Sequence, residues 1–408
     1  MALLQRLLAV LLRVLVAGEH AAAAASMSPE NAGGGGGEAR YARVFCFGNS
    51  LTDTGNNAIL PATAGGPSSS PPYGMTYFHR PTGRSSDGRL VVDFLVEALR
   101  VPQPTPYLAA GKTAADFLPG TNFAVGGATA LEPELLRSRG IVSVVPVSMS
   151  NQTFWFEDAL QLLATTSHNG RRRILETSLF FFGEIGVNDY FLALASNHTV
   201  EQAATLVPDV VGAIRSAVIA TIAAGARTVV VTGMIPLGCE PQLLALFPGD
   251  AAAGDYDPET GCDARFNHLA ELHNRALIRM LRQLRRAFPA VAVHYADYYR
   301  PVTAIVASPA KHGFGERPLV ACCGGGGNAY NFDFAAFCGS PASTVCGDPS
   351  EYVSWDGIHY TEAANRFVAR AMLRGASLPP LSSMALSRSG ENAIAGPGDV
   401  TETREAVQ

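Results

Sequence analysis

Lysine is almost absent from this chain. Lys112 and Lys311 are the only two among 30 basic residues, and 35 acidic residues leave a formal net charge of −5 at neutral pH. That balance supplies no basic field for nucleic acid or for an anionic membrane surface; the scarcity of lysine itself carries no functional inference. Long apolar runs are lacking after the first residues, and no later segment reads as apolar enough to span a bilayer. Several chemical signatures are missing too. There is no HExxH pair for zinc, and His268 and His273 stand five apart, on different faces of a helix. No G-x-S-x-G elbow of an ordinary α/β-hydrolase occurs. Gly111-Lys112-Thr113 ends like a phosphate loop, but Pro106 stands where its first glycine belongs. Gly324–Gly327 completes no dinucleotide fingerprint, and Cys322-Cys323 is no CxxC. No internal repeat and no second domain can be read.

What is present suits a secreted protein. With 408 residues, 48% of them hydrophobic, the chain can bury one large core or two ordinary ones. Residues 1–25 carry apolar runs at Leu7–Leu12 and Val14–Ala17, interrupted by Arg13, and end in alanines. They read as a cleaved signal peptide, too short and too interrupted for a lasting membrane anchor. Residues 26–40, with Gly33–Gly37, read as a Gly-rich linker, 41–375 as the folded domain, and 376–408 as a disordered tail. Seven cysteines fit an oxidising compartment. Six of them (Cys239, Cys262, Cys322, Cys323, Cys338 and Cys346) lie in loop-like sequence and permit 15 pairings. Cys46, inside an apolar strand, reads as a buried free thiol. Asn151-Gln152-Thr153 and Asn197-His198-Thr199 are acceptor sequons, so Asn151 and Asn197 are expected N-glycosylation sites.

Strand-like runs at Arg43–Phe47, Ser178–Phe182, Thr228–Thr232 and Val291–Tyr295 alternate with helical spacing. Helices are expected at Arg89–Leu99, at Val200–Ala224 with Gly225 as cap, along the Phe266 to Leu284 face, and from Thr361 to Arg374. A short strand is expected to end in glycines near Asn122–Gly127. Alternation of this kind indicates a parallel sheet covered on both faces.

The chemistry lies at strand ends, where ligands of open parallel sheets bind. Phe47-Gly48-Asn49-Ser50 presents a serine just past the first strand, and Asp356-Gly357-Ile358-His359 supplies an acid and an imidazole three residues apart. Serine, histidine and aspartate are a nucleophile, its general base and the group that orients the base. Gly127 can expose a backbone N–H, and Asn188 carries a side-chain amide after another strand. Both suit a developing oxyanion. Singly, each of these residues is more simply a turn or cap residue; together they are hard to assign to turns alone.

The four blocks resemble those of the plant GDSL esterase/lipase family of the SGNH hydrolase superfamily. Gly48-Asn49-Ser50-Leu51 resembles the first, Asn122–Ala130 the second, Gly186-Val187-Asn188-Asp189 the third and Asp356–His359 the last. Pro236–Cys239, Ala321–Gly325 and Trp355 extend the likeness, which covers Tyr41 to Arg374. Asn49 departs from it, since the family usually has Asp there. The resemblance implies a three-layer α/β/α, flavodoxin-like sandwich with a central parallel sheet. It further implies Ser50 as nucleophile, His359 as base, Asp356 as its partner, and Ser50, Gly127 and Asn188 as oxyanion donors, with no cofactor or metal. The expected substrate is a short acyl, acetyl above all, on a neutral cell-wall polysaccharide such as xylan, met in the secretory pathway: the cell wall, the extracellular space or the Golgi lumen. Esters of phenolic choline compounds, other small-molecule or lipid esters, and transfer of the acyl group to another alcohol are alternatives. A non-catalytic glycan binder and a metal-dependent deacetylase are weaker rivals.

Overall fold

The computed structural model describes residues 41–111, 113–164, 168–375 and 377–378. The expected signal peptide and linker lie outside the described residues, as does the expected tail except for Ser377 and Leu378.

A seven-stranded sheet forms the centre: β1 (Arg43–Phe47), β2 (Thr105–Pro106), β3 (Gly120–Asn122), β4 (Ser178–Phe182), β5 (Thr228–Thr232), β6 (Ala292–Ala296) and an edge strand β9 (Ser377–Leu378). The spatial order is β2-β3-β1-β4-β5-β6-β9. All pairs are parallel except β6 with β9, so the first residues of the expected tail continue the sheet instead of leaving it. The run β3-β1-β4-β5-β6 has the flavodoxin-like order, and its topological switch point lies beside β1.

The inner strands are apolar on both faces, as strands covered by helices on both sides must be. Phe45, Phe47, Phe180 and Phe182 are buried and stack across β1 and β4, with Phe47 and Phe182 at 4.5 Å. Helices α2 (Met149–Ala164), α4 (Val207–Ala224) and α5 (Ala264–Ala287) pack on one another in one layer. In the other layer α1 (Val91–Leu99) and α6 (Tyr299–Ala307) pack against α7 (Glu362–Arg374). The apolar face of α5 is buried through Phe266, Leu269, Leu277, Leu281 and Leu284. A short helix α3 (Val187–Ala195) follows β4.

Two sequence expectations are corrected. Val200–Ala224 is not one helix. It divides into Val200–Ala204 and α4, with Pro208 in the first turn of α4. There a missing N–H costs nothing. The same segment is also long and apolar enough to span a bilayer by composition, with a mean hydropathy of 1.7, contrary to the expectation that no such segment follows the leader. In the fold, Val207, Val210, Val211, Ile214 and Val218 of α4 are buried, which makes it a core helix.

The three disulfides are Cys239–Cys262, Cys322–Cys346 and Cys323–Cys338. The last two anchor a loop bounded by the small ribbon β7 (Cys323–Gly324) and β8 (Thr344–Val345). Cys46 is free and buried, as expected, and burial pushes its thiol far up.

Candidate active site

The chain breaks out of β1 at Gly48, whose φ of 139° suits glycine. A Cβ there would stand 3.1 Å from the Glu184 carbonyl. Gln152 of α2 fixes this turn: its Oε1 accepts from the Gly48 N–H at 2.9 Å and its Nε2 donates to the Gly48 carbonyl at 2.8 Å. Asn49 is wholly buried. Its Nδ2 donates to Glu184 Oε2 at 2.5 Å and its Oδ1 accepts from the Leu51 N–H. At this position the departure from the family pattern has a local reading: an amide beside a buried carboxyl gives a donor–acceptor pair, where two carboxyls would share a proton. Asp53 accepts four backbone N–H bonds, from Gly55, Asn56, Asn57 and Gly126, and so ties the serine loop to the loop after β3. Ser50 emerges between them, 9% exposed.

Far along the chain, Trp355–Tyr360 forms a turn that returns to Ser50. The Gly357 N–H donates to Ser354 Oγ, and the Trp355 N–H to the His359 carbonyl. His359 Nε2 lies 2.8 Å from Ser50 Oγ, and its Nδ1 lies 2.7 Å from Asp356 Oδ2. Asp356 is fully buried; its Oδ1 accepts from the Ile358 and His359 N–H groups. Tyr73, from the Pro-rich loop, donates its hydroxyl to the same Oδ2 at 2.8 Å. Burial alone would raise the Asp356 carboxyl. The charge and hydrogen bond of His359, the Ile358 N–H and the Tyr73 hydroxyl outweigh it and hold Asp356 below the ordinary carboxylate value.

Gly127 follows β3 with a φ of 81°, and a Cβ there would reach within 2.6 Å of Val145 Cγ2. Only glycine fits. Asn188 is the second residue of α3, and its Nδ2 donates one hydrogen to the Ala128 carbonyl at 2.8 Å, leaving one free. Among the described residues the backbone N–H groups of Ser50 and Gly127 have no hydrogen-bond partner. Three donors are thus available where a carbonyl oxygen bound at Ser50 would gain charge.

Two cavities meet at Ser50 and share Asn188, Phe334, Ile358 and His359. One, of about 150 Å³, is walled chiefly by Val187, Phe191, Leu194, Ile235, Leu237 and Leu243. The other, of about 250 Å³, runs past Gly127 and Val145 to Tyr73 and the loop of residues 62–68. Phe334, on the doubly cross-linked loop, lines both.

The expected glycan sites differ. Asn197 is exposed, in a turn with a φ of 70°. Asn151 is half-buried in the first turn of α2, where its Oδ1 accepts from the Ser148 N–H.

Residues 44–372 match the family model of the GDSL-like lipase/acylhydrolases. The chain belongs to that family. A GDSL esterase/lipase of Arabidopsis thaliana is 43% identical over 350 residues, covering 85% of this chain and 86% of the relative. A second from that plant is 41% identical over 345 residues, with 84% and 86% covered. The sinapine esterase of Brassica napus is 40% identical over 343 residues, covering 84% and 87%. As a plant GDSL esterase/lipase of the SGNH hydrolase superfamily, the chain is a serine carboxylic ester hydrolase that works through an acyl-enzyme.

Sequence reasoning did not find Tyr73, Gln152 or Glu184 as parts of the GDSL site. Tyr73 lies in a Pro-rich loop without periodicity, and in the sequence Gln152 is only the middle of a sequon.

Proposed function

We propose that Ser50, His359 and Asp356 carry the esterase reaction on an ester that buries an apolar, ring-sized group beside the serine. His359 Nε2 takes the proton of Ser50 Oγ, which attacks the ester carbonyl. The Ser50 and Gly127 N–H groups and the free Asn188 amide hydrogen receive the oxyanion. Collapse expels the alcohol, which takes its proton from His359. Water, deprotonated by the same imidazole, then releases the acid. Tyr73 and the turn N–H groups keep Asp356 ionised and aligned with Nδ1.

The observation that carries the substrate reading is the smaller cavity: its aliphatic and aromatic walls suit a large apolar group, and an acetyl group would fill little of it. The name of the Brassica napus relative, a sinapine esterase, also favours a small-molecule ester. Acetyl release from a polysaccharide such as xylan is the second reading. It is favoured by the greater volume of the other cavity and by Thr63, Ser68 and Ser85 within its otherwise mainly apolar lining. Three disulfides, the exposed Asn197 sequon and the N-terminal sequence support a protein of the secretory pathway, acting in the wall or a secretory lumen. The deciding experiment compares kcat/KM on arylpropanoate esters and choline esters with acetate release from acetylated xylan and with a long-chain lipid ester. Faster turnover of acetylated xylan than of every small ester overturns the first reading. A product formed on an added alcohol in preference to water would make the enzyme an acyltransferase.

A further inference from the structure

The smaller cavity is apolar along its walls but contains two polar side chains that the reaction does not use. Glu240 is 5% exposed and Gln242 7% exposed, and both line the cavity together with Ser50 and His359. Glu240 Oε1 accepts from the Tyr360 hydroxyl at 2.7 Å. Among the described residues its Oε2 has no partner, and neither end of the Gln242 side-chain amide has one. These atoms are also not sealed away like the buried unpartnered groups elsewhere, such as Thr121 Oγ1 or Trp355 Nε1. A polar group in an apolar wall costs stability unless something pairs with it. The backbone secures the pair: the Gln242 N–H donates to the Gly357 carbonyl at 2.9 Å, fixing this segment to the turn that holds His359.

We propose that Glu240 and Gln242 form a polar subsite for a hydroxyl group carried on the apolar part of the substrate, as in a hydroxyaryl ester. The two side chains supply complementary chemistry. Burial pushes the Glu240 carboxyl up to about 8. The Tyr360 hydrogen bond opposes this, and the negative Asp356, with Glu184 when it ionises, reinforces it. Near neutrality the carboxyl therefore keeps its proton and offers an O–H, while the Gln242 amide offers both a donor and an acceptor. A hydroxyl, which donates once and accepts twice, matches them. A group lacking hydrogen-bonding atoms would leave both unpaired, which is the arrangement that discriminates most strongly between substrates.

The proposal rests on the esterase reading, and the test separates the two. Matched esters differing only by a hydroxyl are compared: ethyl 3-(4-hydroxyphenyl)propanoate with ethyl 3-phenylpropanoate, and 4-hydroxyphenethyl acetate with phenethyl acetate. The two pairs cover both orientations of the ester. In the intact enzyme at least one pair favours the hydroxylated member by roughly tenfold or more in kcat/KM. Glu240→Leu and, independently, Gln242→Leu bring that ratio toward one. No preference in either pair, or a preference that survives in a folded variant, overturns the subsite. A preference for a trimethylammonium ester over its neutral tert-butyl isostere that Glu240→Gln abolishes also overturns it, because it requires an ionised Glu240. Fluorophosphonate labelling of Ser50 reports on the esterase reading separately, since it does not depend on the ratio.

Discussion

Gln152 grips Gly48 from both sides, accepting from its N–H and donating to its carbonyl across 104 residues of sequence. One side chain thereby supplies the acceptor that the Gly48 N–H loses where β1 ends and joins the Val125 N–H on its carbonyl, and the position of Ser50 depends on it. Gln152→Leu, nearly equal in volume, leaves the buried Gly48 N–H unpaired and its carbonyl with the Val125 N–H alone, at 3.2 Å. It should lower Tm by several degrees and kcat by roughly tenfold or more, with KM less affected. Unchanged kcat in a folded variant would show that the clamp only stabilises.

Ser50→Ala should abolish both turnover and fluorophosphonate labelling. Loss of a triad nucleophile or base elsewhere costs about 10⁶ in rate. His359→Ala should fall as far, whereas Asp356→Ala should be milder. A Ser50→Ala protein that keeps a tenth of the activity would remove this serine from the mechanism.

Removing one oxyanion donor gives a different signature. Asn188→Ala should lower kcat by roughly 10²–10³ with little change in KM, because the amide matters most to the tetrahedral state. A variant that loses affinity while kcat holds would make Asn188 a substrate-binding group instead.

Buried acids near the site set the pH profile of stability. Burial raises Asp53 to about 6, Asp189 to about 7, and Glu184 and Glu240 to about 8, although hydrogen bonds pull each back. Each binds its proton more tightly when folded than unfolded, where carboxyls titrate near ~4. Between those values the native state holds more protons, so stability falls as pH rises. Asp356, held low, acts oppositely and loses its contribution only as pH falls through the acidic range. Tm should therefore peak in mild acid and decline from about pH 5 to about pH 9, with a shallower decline in Glu240→Gln. A Tm that climbs toward pH 9 would contradict these burial effects.

Much of this was legible in the sequence because the signals are local. β1, β4 and β5 stand where unbroken β-branched and aromatic runs stand, and α7 starts at Thr361, whose side chain accepts from the Ala364 N–H. The blocks around Ser50, Gly127, Asn188 and Asp356–His359 announced themselves by residue type at strand ends. What could not be read depends on distant partners. The Tyr73 hydroxyl bonds a carboxyl 283 residues away, and Glu240 looks like any loop acid until Tyr360 is brought against it. Disulfide pairing follows from which loops meet in space. The break near Thr205–Leu206 was hidden because apolar spacing continues through it, and only the place of Pro208 in a first turn gives it away.

The hydrogen bond between Ser50 and His359 joins positions 309 residues apart. The last helix is docked by Arg89 to Glu362 at 2.8 Å and by the Glu362 N–H to Asp87. With the roles proposed for these two residues, a nascent chain carries its serine for almost the whole of translation without a base to activate it. Hydrolytic power arrives only when the carboxyl-terminal segment has been synthesised and has closed against the amino-terminal loops.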